Sequence, residues 1–291
     1  FIVTIHDLIL IKFPTLRVTT LGPIIYKIKS LAYKIVISLA VKRAKKVLAV
    51  SQFTKDDLIR QFKINPYKVI VTYEGVAELT AALQNTVIPA ACPVKCLPSE
   101  ISSRREAYFT GRAYFTGEAG IQKKYLANDK LFLDSRLHEN DKFSITQPYL
   151  LYVGNAYPHK NLEGLIKVFL EISKNLSDLK LVLVGKEDYF YSRLKQLAKN
   201  FSNNIIFPGY VPDRELAGLY QNALVYVFPS FYEGFGLPPL EAMAHGLTVV
   251  SSNKTCLPEI LGDAALYFNP DDEADMKYKI EQVLTDEKLR A

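Results

Sequence analysis

Two glutamates, Glu233 and Glu241, stand on either side of a Gly-X-Gly turn and a pair of prolines in the stretch FYEGFGLPPLEAMAHG, Phe231 to Gly246. A carboxylate accepts two or more hydrogen bonds from neighbouring hydroxyls, and such charge-assisted bonds are about twice as strong as neutral ones. The plainer interpretation is a loop acid followed by an acid that the helix dipole favours. Taken alone, the two glutamates fit both interpretations.

The turn between the glutamates predicts an anion site. Gly234 and Gly236 have no Cβ, so the backbone can approach a ligand closely. The prolines that follow suit the first positions of a helix, where a missing N–H costs no hydrogen bond. The amides that would face an anion at this helix N-terminus belong to Phe235, Gly236 and Leu237. Phosphate on these amides, with hydroxyls on the glutamates, predicts a nucleotide sugar as the ligand.

A second segment, YVGNAYPHKNLEGL from Tyr152 to Leu165, repeats the pattern of strand, glycine turn and helix, with Lys160 just before the helix. A lysine about 4 Å from a phosphate contributes about 4 kcal/mol at an effective dielectric of about 20. An exposed helix dipole contributes only about 0.3–1 kcal/mol. A lysine beside a turn is more often a plain surface residue, but two such segments with opposite charges favour binding. We therefore predict Lys160 as the main diphosphate contact.

A sheet is needed to bring these segments together. From Pro148 onward, near-continuous apolar runs alternate with helical patterns. This alternation predicts a doubly wound α/β domain whose parallel sheet is covered by helices on both faces. Ligands of such sheets lie at the carboxyl ends of the strands. Both candidate segments begin at such an end.

Residues 1–76 also alternate and predict a second parallel sheet. The predicted elements are a strand over FIVTI, a loop over HDLILIKFP, a helix over Gly22–Ala44, strands over Lys45–Val50 and Lys68–Val76, and a helix over TKDDLIRQF. Thr54, with Asp57 three residues later, resembles a capping box that opens this last helix.

The alternation is lost over residues 77–147, which contain a short tandem repeat, AYFTG at Ala107–Gly111 and again at Ala113–Gly117. A stretch of this length without elements is usually a functional loop or disordered. We predict an insertion without packed structure. The expected organisation is a partial α/β domain over 1–76, an atypical linker over 77–147 and a second, Rossmann-like α/β domain over 148–291.

The composition excludes several protein classes. The 291 residues are 49% apolar and 23% charged, as in globular proteins. Three cysteines, Cys92, Cys96 and Cys256, are too few for a disulfide framework and predict a reducing compartment. The isolated Cys92–Cys96 pair lacks the four ligands of a structural zinc site. The net charge of +6 is modest and does not predict nucleic-acid binding.

Four motifs resemble one enzyme family. They are Lys160-Asn161-Leu162 after Gly154, PGYV at Pro208–Val211, FPSFYEGFGLPPLEAMAHG and LPEILGDAALYFNP. They resemble the donor-binding domain of family 4 retaining glycosyltransferases (glycosyl transferases group 1), with the Glu-x7-Glu motif as the most specific part. IHDL at Ile5–Leu8 and VSQFTKDDL at Val50–Leu58 resemble the later part of the family's acceptor domain. The resemblance implies an α/β protein of GT-B type, with two Rossmann-like domains facing a cleft and the N-terminal one incomplete.

The resemblance implies roles for the matching residues. Glu233 would contact donor-sugar hydroxyls, Glu241 the ribose hydroxyls, and Lys160 the diphosphate. His6 would point at the reacting carbon of the sugar and complete a catalytic set with Lys160 and Glu233, although a lone histidine after a strand is more often structural. The other donor-binding residues would be Gly154, Asn155, Tyr210, Val211, Gly234, Phe235, Gly236 and Leu237, with the Tyr210–Val211 backbone at the edge of the nucleobase. The family needs no metal and no other cofactor, and the leaving diphosphate helps to deprotonate the acceptor hydroxyl.

The chain departs from the family pattern at several places. Many members carry arginine where this chain has Asn155, and His159 is a nearby candidate for the missing cation. The first third of the acceptor domain and the final helix of the family are absent, so we expect a member shortened at both ends. The insertion over 77–147 stands where the family has a short linker.

The sequence thus predicts a retaining glycosyltransferase that moves a hexose from a nucleotide-diphosphate sugar to a hydroxyl of a saccharide or lipid-linked acceptor. GDP-mannose is the first expectation because the PHKN form of the lysine motif resembles mannosyltransferases, and UDP-glucose is the second. Two alternatives remain. A UDP-amino-sugar epimerase of the same scaffold needs acid and base groups in the cleft, where the sequence offers only His6. A non-catalytic nucleotide-sugar binding fragment would bind without turnover.

Residues 22–46 are basic throughout and contain no acid; the cations are Lys27, Lys29, Lys34, Lys42, Arg43, Lys45 and Lys46. Such a helix can rest on anionic lipid, and a solvated helix face is an equal alternative. No segment has the length and apolar character of a transmembrane helix. We expect a cytoplasmic protein with peripheral contact at the inner face of the membrane.

Overall fold

The computed structural model describes residues 1–13, 23–75, 145–199 and 203–290. The described part forms two parallel sheets, one before and one after the undescribed range 76–144. We call residues 1–75 the N-terminal unit and residues 145–290 the C-terminal unit. The predicted insertion, its tandem repeat and Cys92 with Cys96 lie outside the described residues, so the predicted linker and domain boundaries stay predictions.

The N-terminal unit has a three-stranded sheet in the order β1-β2-β3, parallel throughout. The strands are β1 (Ile2–Ile5), β2 (Lys46–Ala49) and β3 (Val69–Val71), and the helices are α1 (Ile9–Lys12), α2 (Pro23–Arg43) and α3 (Gln52–Phe62), with a 3₁₀ turn at Pro66–Lys68. Buried aliphatic side chains of the strands and helices form its core. The carboxyl end of β1 leads directly into His6.

The C-terminal unit has a six-stranded parallel sheet in the order β6-β5-β4-β7-β8-β9. The strands are β4 (Tyr149–Val153), β5 (Lys180–Val184), β6 (Ile205–Gly209), β7 (Val225–Phe228), β8 (Val249–Ser252) and β9 (Ala265–Phe268). Strands β5 and β6 lie on one side of β4, and β7, β8 and β9 lie on its other side, so the strand order reverses direction between β6 and β7. This reversal opens a crevice at the carboxyl ends of β4 and β7, where doubly wound sheets bind ligands.

Helices cover both faces of the six-stranded sheet. They are α4 (Leu162–Ser173), α5 (Tyr189–Ala198), α6 (Asp213–Asn222), α7 (Leu237–Ala244), α8 (Leu257–Leu261), α9 (Glu273–Thr285) and α10 (Glu287–Arg290), with 3₁₀ turns at Pro158–Lys160 and Gly262–Ala264. Strands β7 and β8 are buried along their whole length. This burial explains the continuous apolar run of β7, whereas β8 ends in two buried serines, Ser251 and Ser252. The predicted α/β class is confirmed.

Tyrosines fix the carboxyl ends of the central strands. Tyr226 of β7 donates a hydrogen bond to the Val153 carbonyl at 3.1 Å, and Tyr152 of β4 donates to the Asn155 carbonyl at 2.8 Å. Both rings are fully buried. Because a buried hydroxyl needs a partner, each tyrosine has one favoured position at the crevice edge. The loops of the crevice therefore begin from a rigid base.

Three predictions for the N-terminal unit are wrong in detail. The HDLILIKFP segment contains helix α1, because Asp7 Oδ1 accepts the Ile9 amide at 2.9 Å and Leu8 is fully buried beside it. Helix α3 is capped by Ser51, whose Oγ accepts the Thr54 amide at 3.1 Å, and not by a box that starts at Thr54. The predicted strand over Lys68–Val76 is reduced to Val69–Val71.

Candidate active site

Lys160 and Glu233 meet at the crevice of the C-terminal unit. The Lys160 Nζ lies 2.6 Å from Glu233 Oε1, and the two side chains are only 12% and 9% exposed. Lys160 Nζ also lies 5.6 Å from the centre of the Phe228 ring. The sequence predicted both residues independently, from two strand-turn-helix segments. The structure shows that the two segments form one site.

A hydrogen bond between main-chain atoms joins these two segments. Phe231, just after β7, donates its amide to the His159 carbonyl at 2.8 Å. Lys160 then ends a 3₁₀ turn, and Asn161 takes a left-handed conformation, φ 57°, before α4 begins. This change of direction aims Lys160 across the crevice. The Lys160–Glu233 pair is therefore a consequence of how the β4 and β7 loops are tied together.

The Glu233 loop is held by residues that follow β8. Thr255 Oγ1 accepts the Glu233 amide at 3.1 Å, and Cys256 Sγ lies 3.4 Å from the Glu233 carbonyl and 3.3 Å from that of Phe235. Burial raises the pKa of the Cys256 thiol, so the thiol stays protonated and serves as a weak donor. Neither residue was predicted as part of the site, since nothing in TCLPEIL indicates which loop it supports.

Helix α7 starts directly behind this loop. Gly236 has φ 95°, a value that favours glycine, and Leu237 opens the helix with prolines in its first turn. The first amides of α7 have no carbonyl one turn earlier in the same helix, as at every helix N-terminus. Phe235 is buried and Leu237 half-buried. The predicted anion contacts of these amides stay a prediction.

Glu241 contacts α6 and not the Lys160–Glu233 pair. Tyr220 donates its hydroxyl to Glu241 Oε2 at 3.1 Å. Burial, followed by the Glu241 charge, raises the pKa of Tyr220, so the hydroxyl stays a donor. The Tyr220 ring in turn stacks on His245 at a centroid distance of 5.3 Å. The sequence predicted Glu241, but Tyr220 and His245 could be connected to it only through the fold.

His6 reaches the Glu233 loop through its main chain. A Cβ added to Gly234 would overlap the His6 carbonyl and lie 3.0 Å from the Asp7 Cβ. Gly234 thus lets the N-terminal unit approach, a neighbour that the sequence did not predict. The His6 side chain is 68% exposed, and its Nδ1 lies 2.6 Å from Glu74 Oε1. The predicted catalytic role of His6 remains a prediction.

The prediction that His159 supplies the charge of the missing arginine is wrong. His159 is only 3% exposed, and its pKa is lowered to about 3, first by burial and then by the charge of Lys160. The imidazole is therefore neutral at physiological pH and supplies no charge to a diphosphate. Asn155 itself is exposed, and its Oδ1 accepts the Tyr157 amide at 3.3 Å. Of the three predicted residues Asn155, His159 and Lys160, Lys160 is therefore the one that can offer a cation at the β4 end.

The remaining predicted residues follow the strands β4 and β6 of the C-terminal unit. Gly154 follows β4 and donates its amide to the Val184 carbonyl at 3.0 Å. Tyr210 is 71% exposed after β6, while Val211 is buried in the core. Within the described residues, no group of three or more His, Cys, Asp or Glu side chains is arranged to hold a metal ion. The roles of Gly154, Tyr210 and Val211 stay predictions.

The chain is similar to known proteins in sequence and in fold. The family model "Glycosyl transferases group 1" matches residues 135–291, more than half of the chain. The chain belongs to this family of glycosyl transferases. The resemblance inferred from the motifs is thereby confirmed.

The sequence similarity of this group 1 glycosyl transferase to its curated relatives extends over both units. O-antigen chain mannosyltransferase B of Escherichia coli is 33% identical over 250 residues, which covers 85% of this chain and 53% of the relative. O-antigen chain mannosyltransferase RfbU of Salmonella typhimurium is 27% identical over 288 residues, covering 96% of this chain and 63% of the relative. The chain thus spans between about half and two thirds of the length of these two relatives.

Solved structures show the same fold as this group 1 glycosyl transferase. WaaG, a glycosyltransferase involved in lipopolysaccharide biosynthesis, superimposes with a TM-score of 0.66 at 15% identity, covering 99% of this chain and 67% of WaaG. Sucrose-phosphate synthase from Thermosynechococcus elongatus gives 0.63 at 21% identity, covering 99% of this chain and 59% of the synthase. These similarities confirm the predicted GT-B type of α/β fold.

Proposed function

We propose that this chain is part of a retaining glycosyltransferase that moves a hexose from a nucleotide-diphosphate sugar to a hydroxyl of a saccharide or lipid-linked acceptor. The single observation that carries the proposal is the Lys160–Glu233 pair, a cation and a carboxylate at the crevice between β4 and β7. A nucleotide sugar offers this pair a diphosphate and hydroxyls. Each charge therefore finds a matching group on one ligand.

In the proposed donor complex the two side chains exchange partners. Lys160 leaves Glu233 and binds the diphosphate, while Glu233 accepts hydrogen bonds from sugar hydroxyls. Amides at the start of α7 would add to the diphosphate contacts, because a helix N-terminus favours anions. Glu241, held by Tyr220, would accept the ribose hydroxyls. Since Lys160 and Glu233 pair with each other otherwise, neither buried charge is left unpaired before binding.

In the proposed transfer, every bond that forms or breaks and every proton that moves belongs to the donor or the acceptor. The bond between the anomeric carbon and the diphosphate oxygen breaks, and its electron pair leaves with the diphosphate. The acceptor oxygen forms the new bond on the same face of the sugar, and its proton passes to the diphosphate. His6 would lie near the reacting carbon, because its main chain contacts Gly234 beside Glu233. Glu233 would orient the sugar in this step.

Mannose is the proposed sugar and GDP-mannose the proposed donor, with UDP-glucose second. The PHKN form at Pro158–Asn161 supports mannose, as do the names of the two O-antigen chain mannosyltransferases that are similar to this chain. A saccharide acceptor is supported by the same names, and a lipid-linked acceptor is the alternative.

A thermal-shift titration tests the donor. The chain is heated with GDP, UDP, ADP and their hexose derivatives. Saturation at about 100 times the dissociation constant stabilises the native state by about 2.7 kcal/mol, which raises the melting temperature. We expect the largest rise with GDP-mannose. A chain that no nucleotide stabilises would contradict the proposal, and binding without sugar transfer to any acceptor would favour the non-catalytic alternative.

We further propose that α2 contacts the membrane from one side. None of the helices in the described ranges is both long and apolar enough to cross a bilayer. Helix α2 packs Tyr26 and Val41 inward, yet its outer face is also apolar. The outward side chains, between 46% and 64% exposed, are Ile25, Ile28, Leu31, Ile35, Val36 and Leu39. Lysines adjoin this face, so the helix suits the boundary of an anionic bilayer.

Vesicle sedimentation tests the contact of α2. The chain should pellet with anionic phosphatidylglycerol vesicles and stay in the supernatant with neutral ones. Lys27→Gln with Lys34→Gln should weaken binding by more than about tenfold, since each lysine near an anionic surface contributes about 1 kcal/mol. The matched control is Lys277→Gln with Lys279→Gln in α9, which should leave binding unchanged. Equal sedimentation of the wild-type chain with both vesicles would contradict the proposal.

A further inference from the structure

We infer that Ser51 and Thr54 of the N-terminal unit are positioning residues for Glu233, acting through the carbonyl of Gly234. The inference rests on the proposed function, because it concerns the geometry that Glu233 presents to the donor sugar. Ser51 and Thr54, called here the hydroxyl pair, lie at the first turn of α3. Neither carries a charge, and neither was predicted as part of the site.

The hydroxyl pair holds one main-chain oxygen. Ser51 Oγ lies 2.7 Å and Thr54 Oγ1 3.2 Å from the Gly234 carbonyl oxygen. Ser51 Oγ accepts the Thr54 amide as its helix cap and also lies 3.0 Å from Thr54 Oγ1. Its single hydrogen goes to the nearer acceptor, the Gly234 carbonyl at 2.7 Å, which leaves the Thr54 hydroxyl to donate to the same carbonyl. Both side chains are at most 1% exposed. The carbonyl that follows Glu233 is thus fixed by two buried donors.

Both units make hydrogen bonds to the backbone around Glu233. Two residues of the C-terminal unit hold the backbone of Glu233: Thr255 accepts its amide, and the Cys256 thiol donates to its carbonyl. Among the described residues, the hydrogen bonds to the next carbonyl, that of Gly234, come from the hydroxyl pair of the N-terminal unit. The orientation of the 234 peptide, and with it the Glu233 backbone, therefore depends on how α3 docks.

The residue on the other side of Glu233 is also held by α3. Tyr232 donates its hydroxyl to Asp57 Oδ2 at 2.6 Å. Asp57 is 3% exposed in its side chain, and both Lys12 and Arg60 lie 3.0 Å from its other oxygen, so its charge is paired. Helix α3 thus holds the residues before and after Glu233.

A carboxylate of α8 anchors the same end of α3. Glu259 accepts the amides of Gln52 at 2.6 Å and Phe53 at 2.9 Å, the first two residues of the helix. A carboxylate at a helix N-terminus is favoured by both the free amides and the dipole. The first turn of α3 is therefore held in place by the C-terminal unit while it orients the Glu233 loop. Docking of the units and orientation of Glu233 are coupled through this turn.

Thr54→Val tests the positioning role, because valine keeps the shape and removes the hydroxyl. Affinities for GDP-mannose and for GDP are measured by calorimetry on the full 291-residue chain. GDP has no hexose for Glu233 to contact, so its affinity should not change. The affinity for GDP-mannose should fall about five- to tenfold, the usual effect of losing one well-placed hydrogen bond. Thr54→Ser, which keeps the hydroxyl, should restore it.

Ser51 offers a second test of the hydroxyl pair. Ser51→Gly removes its donor but costs little as a helix cap, and Ser51→Thr keeps both functions. Thr285→Val, which removes an exposed hydroxyl that donates to the Glu281 carbonyl in α9, is the matched control and should change neither affinity. Amide hydrogen exchange of the Tyr232–Gly236 segment, measured without nucleotide, should quicken in Thr54→Val and in Ser51→Gly.

The outcomes separate this inference from the proposed function. If GDP and GDP-mannose affinities fall together, or if both stay unchanged with unaltered exchange, the positioning role is overturned. A wild-type chain that binds no sugar nucleotide contradicts the proposed function instead. In that case unchanged exchange of the Tyr232–Gly236 segment would still overturn the inferred ordering by the hydroxyl pair.

Discussion

Replacing Lys160 with methionine is expected to lower the affinity for a nucleotide sugar by about a thousandfold and to destabilise the fold. The loss of affinity follows from a lysine–phosphate attraction of about 4 kcal/mol at an intermediate dielectric. The loss of stability has another cause. Glu233, 9% exposed in its side chain, would lose its partner at 2.6 Å, and an uncompensated buried charge costs about 3–5 kcal/mol. Methionine keeps an apolar stem over the Phe228 ring.

A double variant separates these two effects. In Lys160→Met with Glu233→Gln neither member of the pair carries a charge, so the free energy of unfolding should return close to that of the wild-type chain. The affinity should not recover, because the cation is still absent. Urea unfolding measures the first quantity and calorimetry the second.

Lys167→Met is the matched control for this pair of variants. Lys167 also pairs with a glutamate, Glu273 at 3.1 Å, but the two side chains are 68% and 54% exposed. An exposed pair contributes less than about 1 kcal/mol, so this variant should be nearly neutral. The assignment of Lys160 would be wrong if Lys160→Met bound the nucleotide sugar like the wild-type chain.

Gly234→Ala is expected to reduce sugar transfer by about a hundredfold or more. The new Cβ would overlap the His6 carbonyl. Because this carbonyl is part of the backbone, it cannot rotate away as the end of a flexible side chain could. The N-terminal unit must then shift away from the Glu233 loop, which breaks the bonds from Ser51 and Thr54 to the Gly234 carbonyl. Misplacing a substrate-orienting group by about 1 Å can cost about a hundredfold in rate.

Three measurements check Gly234→Ala. Transfer from the donor gives the rate, thermal unfolding gives the stability, and small-angle scattering gives the separation of the two units. Gly218→Ala in α6 is the control, because nothing lies within 4 Å of its added Cβ and alanine favours a helix by about 1 kcal/mol. Gly218→Ala should therefore keep wild-type transfer with equal or higher stability. Wild-type transfer by Gly234→Ala would show that the contact with His6 is dispensable.

The sequence by itself determined the class of fold and brought out two candidate site residues that the structure pairs, Lys160 and Glu233. Apolar runs that alternate with helical patterns depend on near neighbours, so the parallel α/β architecture after Pro148 could be predicted. Lys160 and Glu233 stand just after strands, and parallel strands bring their carboxyl ends to one edge. Their meeting at that edge therefore follows from local patterns.

Only the tertiary structure decided what surrounds Glu233. Ser51 and Thr54 lie about 180 positions before Gly234, and no local pattern connects a helix cap with that carbonyl. The neutral state of His159 likewise depends on burial under other segments. Short-range periodicity sets which elements form, whereas partners and burial are set by segments that are distant in the chain and close in space.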